Sequence, residues 1–237
     1  SGTSIRLLGD PVWDGVLTVF WTVGMMNSIN MLDNMDAITT VTSIFILAAG
    51  LISLLLLDQA TEVDTVLVIG TMGALCGFLF HNWNPSRMYM GDTGSQFLGV
   101  FLAYIGIRCF WNAPSLMGTM EPWRQVVGAL VVFALPIIDT TSVTINRIGR
   151  GTSPFVGGKD HTTHHLSYAG LSDAQVALVF MGLGLVSCFL SFTMLRFVPE
   201  WSAVHTLVFG GYVLLLFAFL FGLTKRTRID RSLRPDV

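Results

Sequence analysis

Val204-His205-Thr206-Leu207-Val208-Phe209-Gly210-Gly211-Tyr212-Val213-Leu214-Leu215-Leu216-Phe217-Ala218-Phe219-Leu220-Phe221-Gly222-Leu223 runs for 20 residues without an Asp, Glu, Lys or Arg, and Lys225 and Arg226 follow almost at once. At about 1.5 Å per residue a helix of this length matches the hydrocarbon core of a bilayer, roughly 30 Å thick. Its apolar side chains occupy every face instead of one stripe, as lipid or neighbouring helices on all sides require. Apolar runs of the same kind fall near residues 16–29, 37–57, 65–80, 97–111, 126–145 and 174–197. The expected fold is therefore all-α: a polytopic transmembrane helical bundle of about seven helices, forming one integral-membrane domain over residues 1–237.

The whole chain carries the same signature. Of its 237 residues 52% are hydrophobic and 12% charged, whereas a soluble domain uses charged residues for about a quarter of its length. A formal net charge of -2 excludes nucleic acid as a main partner, because that needs a basic surface to displace counterions. Cys76, Cys109 and Cys188 lie within apolar runs without Cys-x-x-Cys spacing, so buried, unpaired thiols are expected. The chain opens on Ser1 with no signal-peptide pattern, and is expected to begin part-way into a longer protein.

Basic residues collect in cytoplasmic connections of membrane proteins. With alternating crossings, Arg87, Arg147, Arg150, Lys159, Lys225, Arg226, Arg228, Arg231 and Arg234 fall on one side, and Arg6, Arg108, Arg124 and Arg196 on the other. This division places the first group in the cytoplasm and Ser1 outside. The same side receives residues 30–36, 82–95 and 146–172, the three connections rich in polar residues.

Each of these has two readings. Asp33 and Asp36, three apart, present two carboxylates on one helical face whose repulsion a cation would relieve, or they are solvated acids at a helix start. In Asn82-Trp83-Asn84-Pro85-Ser86-Arg87-Met88-Tyr89-Met90-Gly91-Asp92-Thr93-Gly94-Ser95, Asp92 is a hard oxygen donor suited to Mg²⁺ beside phosphates, or an ordinary helix cap. Residues 146–166 join Arg147, Arg150 and Lys159 to His161, His164 and His165. That set suits a diphosphate, or zinc through His161 and His165 at i and i+4, or a merely solvated basic loop. Asp139, alone in an apolar crossing, is a functional candidate or a structural pair.

Taken in order, N-x-x-D-x-x-D, then N-x-x-P-x-x-x-x-M-G-D-x-G-S, then P-x-x-D-T with R-x-x-x-G-x-S-P-F and a histidine cluster, the chain resembles the polyprenyl-phosphate N-acetylhexosamine-1-phosphate transferase family. It looks most like the branch acting on UDP-N-acetylglucosamine. The resemblance covers residues 16 to about 173. It implies transfer of a sugar-1-phosphate, N-acetylglucosamine-1-phosphate in this branch, from a UDP-sugar to polyprenyl phosphate, with release of UMP. This is the initiating step of cell-surface polysaccharide synthesis, at the cytoplasmic face of the inner (plasma) membrane.

The resemblance further implies Mg²⁺, with Mn²⁺ as a substitute, on Asp92. It makes Asp33, Asp36, Asp92, His164 and His165 catalytic, and Asn30, Asn82, Tyr89 and Arg147 substrate-binding. Membrane lipid is the surroundings, and a homodimer is compatible with the pattern. Two departures stand out. Asp33-Asn34-Met35-Asp36-Ala37 replaces the family's D-G-L-D-G, and no paired-aspartate motif is present. Seven crossings that start outside would form the C-terminal part of an eleven-helix transferase. A transporter or channel, which predicts polar groups on both faces and an internal repeat, and a catalytically inactive family member are the alternatives.

Overall fold

The computed structural model describes residues 4–227. Ser1, Arg228, Arg231 and Arg234, used above to orient the chain, lie outside the described residues. These are all-helical: α1 Pro11–Leu32, α2 Ile38–Leu56, α3 Glu62–Asn82, α4 Gly91–Gly106 running on into a π-helical turn Ile107–Trp111, α5 Pro122–Val132, α6 Ala134–Gly149, α7 Thr162–Tyr168, α8 Asp173–Phe197 and α9 Ala203–Arg226.

Five helices, α1, α2, α3, α8 and α9, are individually long and apolar enough to cross a membrane, and α5 with α6 makes six. By length and composition alone this gives five or six of the about seven crossings expected. The run at 97–111 belongs to α4, which has 16 residues and opens on a polar turn, Gly91 to Ser95. The run at 126–145 reads as one span but is bent by 78° between α5 and α6. Pro136 supplies the reason: it has no N–H to give the carbonyl of Val132, so the helical ladder cannot continue across Phe133.

Two thirds of the apolar window of α2 is buried (67%), against 17% for α3 and for α9, so α2 is the central helix and the other two line the outside. Cys76, expected to be buried, is exposed on α3, whereas Cys109 and Cys188 are buried; all three thiols are free. At one end of the bundle Asp64 of α3 accepts from Tyr104 Oη (2.9 Å) and Arg108 Nε (3.4 Å), while Arg108 also donates to the Gln59 carbonyl. At the other end Asn34, Asp36 and Asn30 bond to Thr163, Asn84 and Asp92. The three polar connections thus share one end.

The crossing of α1 and α4 sets their spacing. Trp21 stands edge-on to Trp111 (5.3 Å) and Phe133 (5.0 Å), with its Nε1 donating to the Ala103 carbonyl. Nearer the polar end no side chain separates the helices: a Cβ on Gly99 would lie 2.7 Å from Met26 Cα and 2.9 Å from the Met25 carbonyl oxygen. Small residues allow such backbone contact between membrane helices. Gly99→Ala should therefore force α1 and α4 apart and cost about 1–3 kcal/mol, read as a lowered thermal midpoint in detergent.

Candidate functional site

The junction begins where α2 begins. Ala37 sits at φ +67°, in the left-handed region, at the position where the resembled pattern has its second glycine. A buried amide from another helix compensates. Asn82, the last residue of α3, accepts through Oδ1 from Ala37 N (3.1 Å) and Thr40 Oγ1 (2.8 Å), and donates through Nδ2 to the Met88 carbonyl (3.0 Å) and to Ser86 Oγ (3.4 Å). Asp36 works in the same direction, its Oδ2 accepting from Asn84 Nδ2 and Ser86 N, both at 3.0 Å. Asn82 and Asp36, expected to meet substrate, have these atoms committed to holding the 83–90 loop against the start of α2.

Asn30 joins α1 to α4: its Nδ2 donates to Asp92 Oδ1 (3.1 Å) and Ser95 Oγ (2.9 Å). Asp33, capping the end of α1, has its carboxyl raised to about 6 by burial, with the charge of Asp92 adding to the effect. Asp92 itself is exposed in the first turn of α4. The ring of Tyr89 is 75% exposed and outside the wall described next.

That wall encloses a cavity of about 500 Å³, lined by Asn30, Asp33, Asn34, Thr140, Arg147 and His161 together with the loop Pro154, Phe155, Val156 and Gly157. Arg147 is buried and ties the loop down: Nε and Nη2 donate to Asp160 (3.1 and 2.6 Å) and Nη1 to the Pro154 carbonyl (2.7 Å). Arg150 reaches the same carboxylate at 2.5 Å. Burial would raise Asp160, but the hydrogen bonds and charges of the two arginines outweigh it and hold the carboxyl down to about 2. A second cleft of about 220 Å³, lined by Arg147, Arg150, Lys159 and the backbone around Gly157 and Gly158, adjoins the first.

The histidines separate. His165 is buried, bonds through Nδ1 to Thr227 Oγ1 (2.5 Å), and faces a different cavity of about 280 Å³ with Arg150 and Lys225. His164 is part-buried, with Nδ1 enclosed and unpartnered among the described residues. His161, one residue before α7, is the one that lines the large cavity, and its Nδ1 lies 2.8 Å from Oδ2 of fully buried Asp139. The zinc reading through His161 and His165 fails on this geometry, since the two rings take different partners and face different cavities. No group of three or more His, Cys, Asp or Glu side chains among the described residues is arranged to hold a metal ion.

Sequence reasoning passed over the pairing of His161 with Asp139. The available signal was a carboxylate in an apolar run, eight residues before Arg147, which needs a donor from a neighbouring loop.

A multi-pass helical membrane protein with a polar cavity at one end of its bundle is the class these features define. Residues 4–110 match the family described as Glycosyl transferase family 4. The chain is 28% identical over 201 residues to a probable undecaprenyl-phosphate N-acetylglucosaminyl 1-phosphate transferase of Bacillus subtilis (strain 168), covering 85% of this chain and 52% of that one. It is 27% identical over 196 residues to the decaprenyl-phosphate N-acetylglucosaminephosphotransferase of Mycolicibacterium smegmatis (75% and 47% covered). A phospho-N-acetylmuramoyl-pentapeptide-transferase of Streptococcus uberis is 31% identical over 183 residues (71% and 49% covered). The chain belongs to the polyprenyl-phosphate hexosamine-1-phosphate transferase family, and spans about half the length of the curated relatives it matches.

Two predictions follow from the junction. Asn82→Ala strands the Ala37 amide and the Thr40 hydroxyl in a buried place and should cost about 1–3 kcal/mol in thermal unfolding. His164 is lowered from 6.5 to about 4, by burial first and by the charge of His161 second. The unfolded chain takes up this proton before the folded one does, so the stabilisation is complete above pH 6.5 and is lost as pH falls toward 4. Thermal midpoints at pH 7.5 and 5 should show that decline, and His164→Gln should flatten it.

Proposed function

We propose that the protein transfers N-acetylglucosamine-1-phosphate from UDP-N-acetylglucosamine to polyprenyl phosphate at the cytoplasmic face of the inner membrane, releasing UMP and starting a cell-surface glycan. The observation that carries this reading is the convergence of Asn30, Asp33, Arg147 and His161 on one cavity, with Asp92 bonded to Asn30 at its edge. Attack of one phosphate on a diphosphate requires charge neutralisation and in-line placement more than covalent help. The adjoining cleft carries Arg150 and Lys159 beside Arg147, a wall suited to the donor's phosphates. An acceptor with a polyprenyl tail suits a site at the end of lipid-facing helices.

The fit of Mg²⁺ rests on the carboxylates. Burial raises Asp33 first, and the nearby charge of Asp92 adds a smaller push in the same direction; Asp33 and Asp92 would hold a divalent cation that offsets this cost. Two carboxylates plus phosphate oxygens and water suit magnesium, which keeps part of its hydration shell. When bound it would supply charge neutralisation at the diphosphate. Asn30 positions Asp92, and Arg147 keeps the 150–160 loop against the cavity.

Replacing Asp92 with Asn should lower Mg²⁺-dependent transfer of radiolabelled sugar phosphate into a lipid extract by about 100-fold or more. Undiminished transfer would remove Asp92 from this place.

A further inference from the structure

The geometry points to Asp139 as a positioning residue: it holds His161 in the tautomer protonated on Nδ1, so that Nε2 faces the cavity as an acceptor for the proton of an incoming phosphate. This rests on the transfer reaction proposed above.

Asp139 lies in α6 with no exposed surface, and a carboxylate offers only lone pairs. Its two oxygens divide their work. Oδ1 accepts from Thr162 N (2.8 Å) and Thr162 Oγ1 (2.6 Å), which is enough to hold the first residue of α7. Oδ2 takes His161 Nδ1 at 2.8 Å. An anchor for α7 would need only Oδ1; the second oxygen is given to the ring, and Nδ1 must be the donor in that bond. The neutral imidazole then has its lone pair on Nε2. Nε2 has no protein partner among the described residues and is not enclosed, while the ring itself lines the large cavity. Thr140 lines the same wall, while its Oγ1 is enclosed and without a hydrogen-bond partner among the described residues.

The cavity is where a phosphomonoester would approach the sugar diphosphate. In the step, the O–H proton of the acceptor phosphate passes to Nε2, and that oxygen's electron pair forms the new bond to the sugar-bearing phosphorus. The bond from this phosphorus to the bridging oxygen breaks, and UMP leaves with the pair. The imidazolium so formed stands against Asp139, whose charge is already in place. Asp139 touches neither substrate and acts through the ring.

Asp139→Asn separates tautomer control from anchoring. The amide oxygen still accepts from Thr162, while the amide nitrogen faces Nδ1 as a donor, so the ring must carry its proton on Nε2. The purified protein, labelled with ¹⁵N-histidine and studied in detergent at pH 8, gives the tautomer directly, with the His161 signals assigned by their loss in His161→Gln. The expected results are a proton on Nδ1 in the unsubstituted protein, a proton on Nε2 in Asp139→Asn, and a fall in kcat of about 100-fold or more with KM within about threefold. A proton on Nε2 in the unsubstituted protein, an unchanged tautomer in the variant, or a switched tautomer with unchanged kcat would each overturn the assignment. A loss confined to thermal stability, with kcat and KM preserved, would reduce Asp139 to an anchor and overturn it too. Absence of turnover in the unsubstituted protein would count against the transfer reaction, and the tautomer would still decide whether Asp139 sets the ring.

Discussion

Between α1 and α4 the backbones touch at Gly99, and the polar end of the bundle is built on that contact. Van der Waals packing is what holds helices together in lipid, where apolar side chains gain nothing by leaving their neighbours. Because α1 and α4 approach without intervening side chains, Asn30 near the end of one can bond to Asp92 at the start of the other. Trp21, clasped by Trp111 and Phe133, holds the remainder of the crossing. The site is thus a consequence of helix spacing fixed deeper in the bundle.

At the polar end, charged and amide groups are arranged in tiers. Asn82 and Asp36 hold backbone and loop; Asp160 holds Arg147 and Arg150; Asp139 holds the start of α7 and the ring of His161. Each of these side chains is tied to protein partners. Among the charged groups and histidines presented to the two adjoining cavities are Asp33, part of Arg150, Lys159 and the open nitrogen of His161. Charge that would be costly to bury alone is buried with a partner, and the residual charge faces the opening.

Apolar runs were legible because lipid demands about twenty apolar residues per crossing, and α2, α3, α8 and α9 lie close to the stretches that length criterion finds. The break between α5 and α6 was not, since Pro136 sits in a run whose hydropathy is uninterrupted. Asn30, Asp33 and Arg147 were legible as residues that meet at one place because alternating crossings put their motifs in connections on one side of the bundle. The histidines separate for a local reason. Three of them within five positions read as one cluster, but α7 starts at Thr162, so His165 turns toward α9 while His161 stays outside the helix and faces the other way. Asn82 and Asp36 carry the residue types of a binding site, and only coordinates show that neighbouring loops already claim their hydrogen bonds.

The sharing of Asp160 by two arginines has a kinetic meaning. The segment from Thr152 to Lys159 is fastened by the chain's own counter-charge, so its shape is set during folding and does not wait for an anion to arrive. A ligand that meets a preorganised wall loses less freedom on docking than one that must first gather a floppy strand around itself. An anion drawn to this wall would therefore meet a surface already formed.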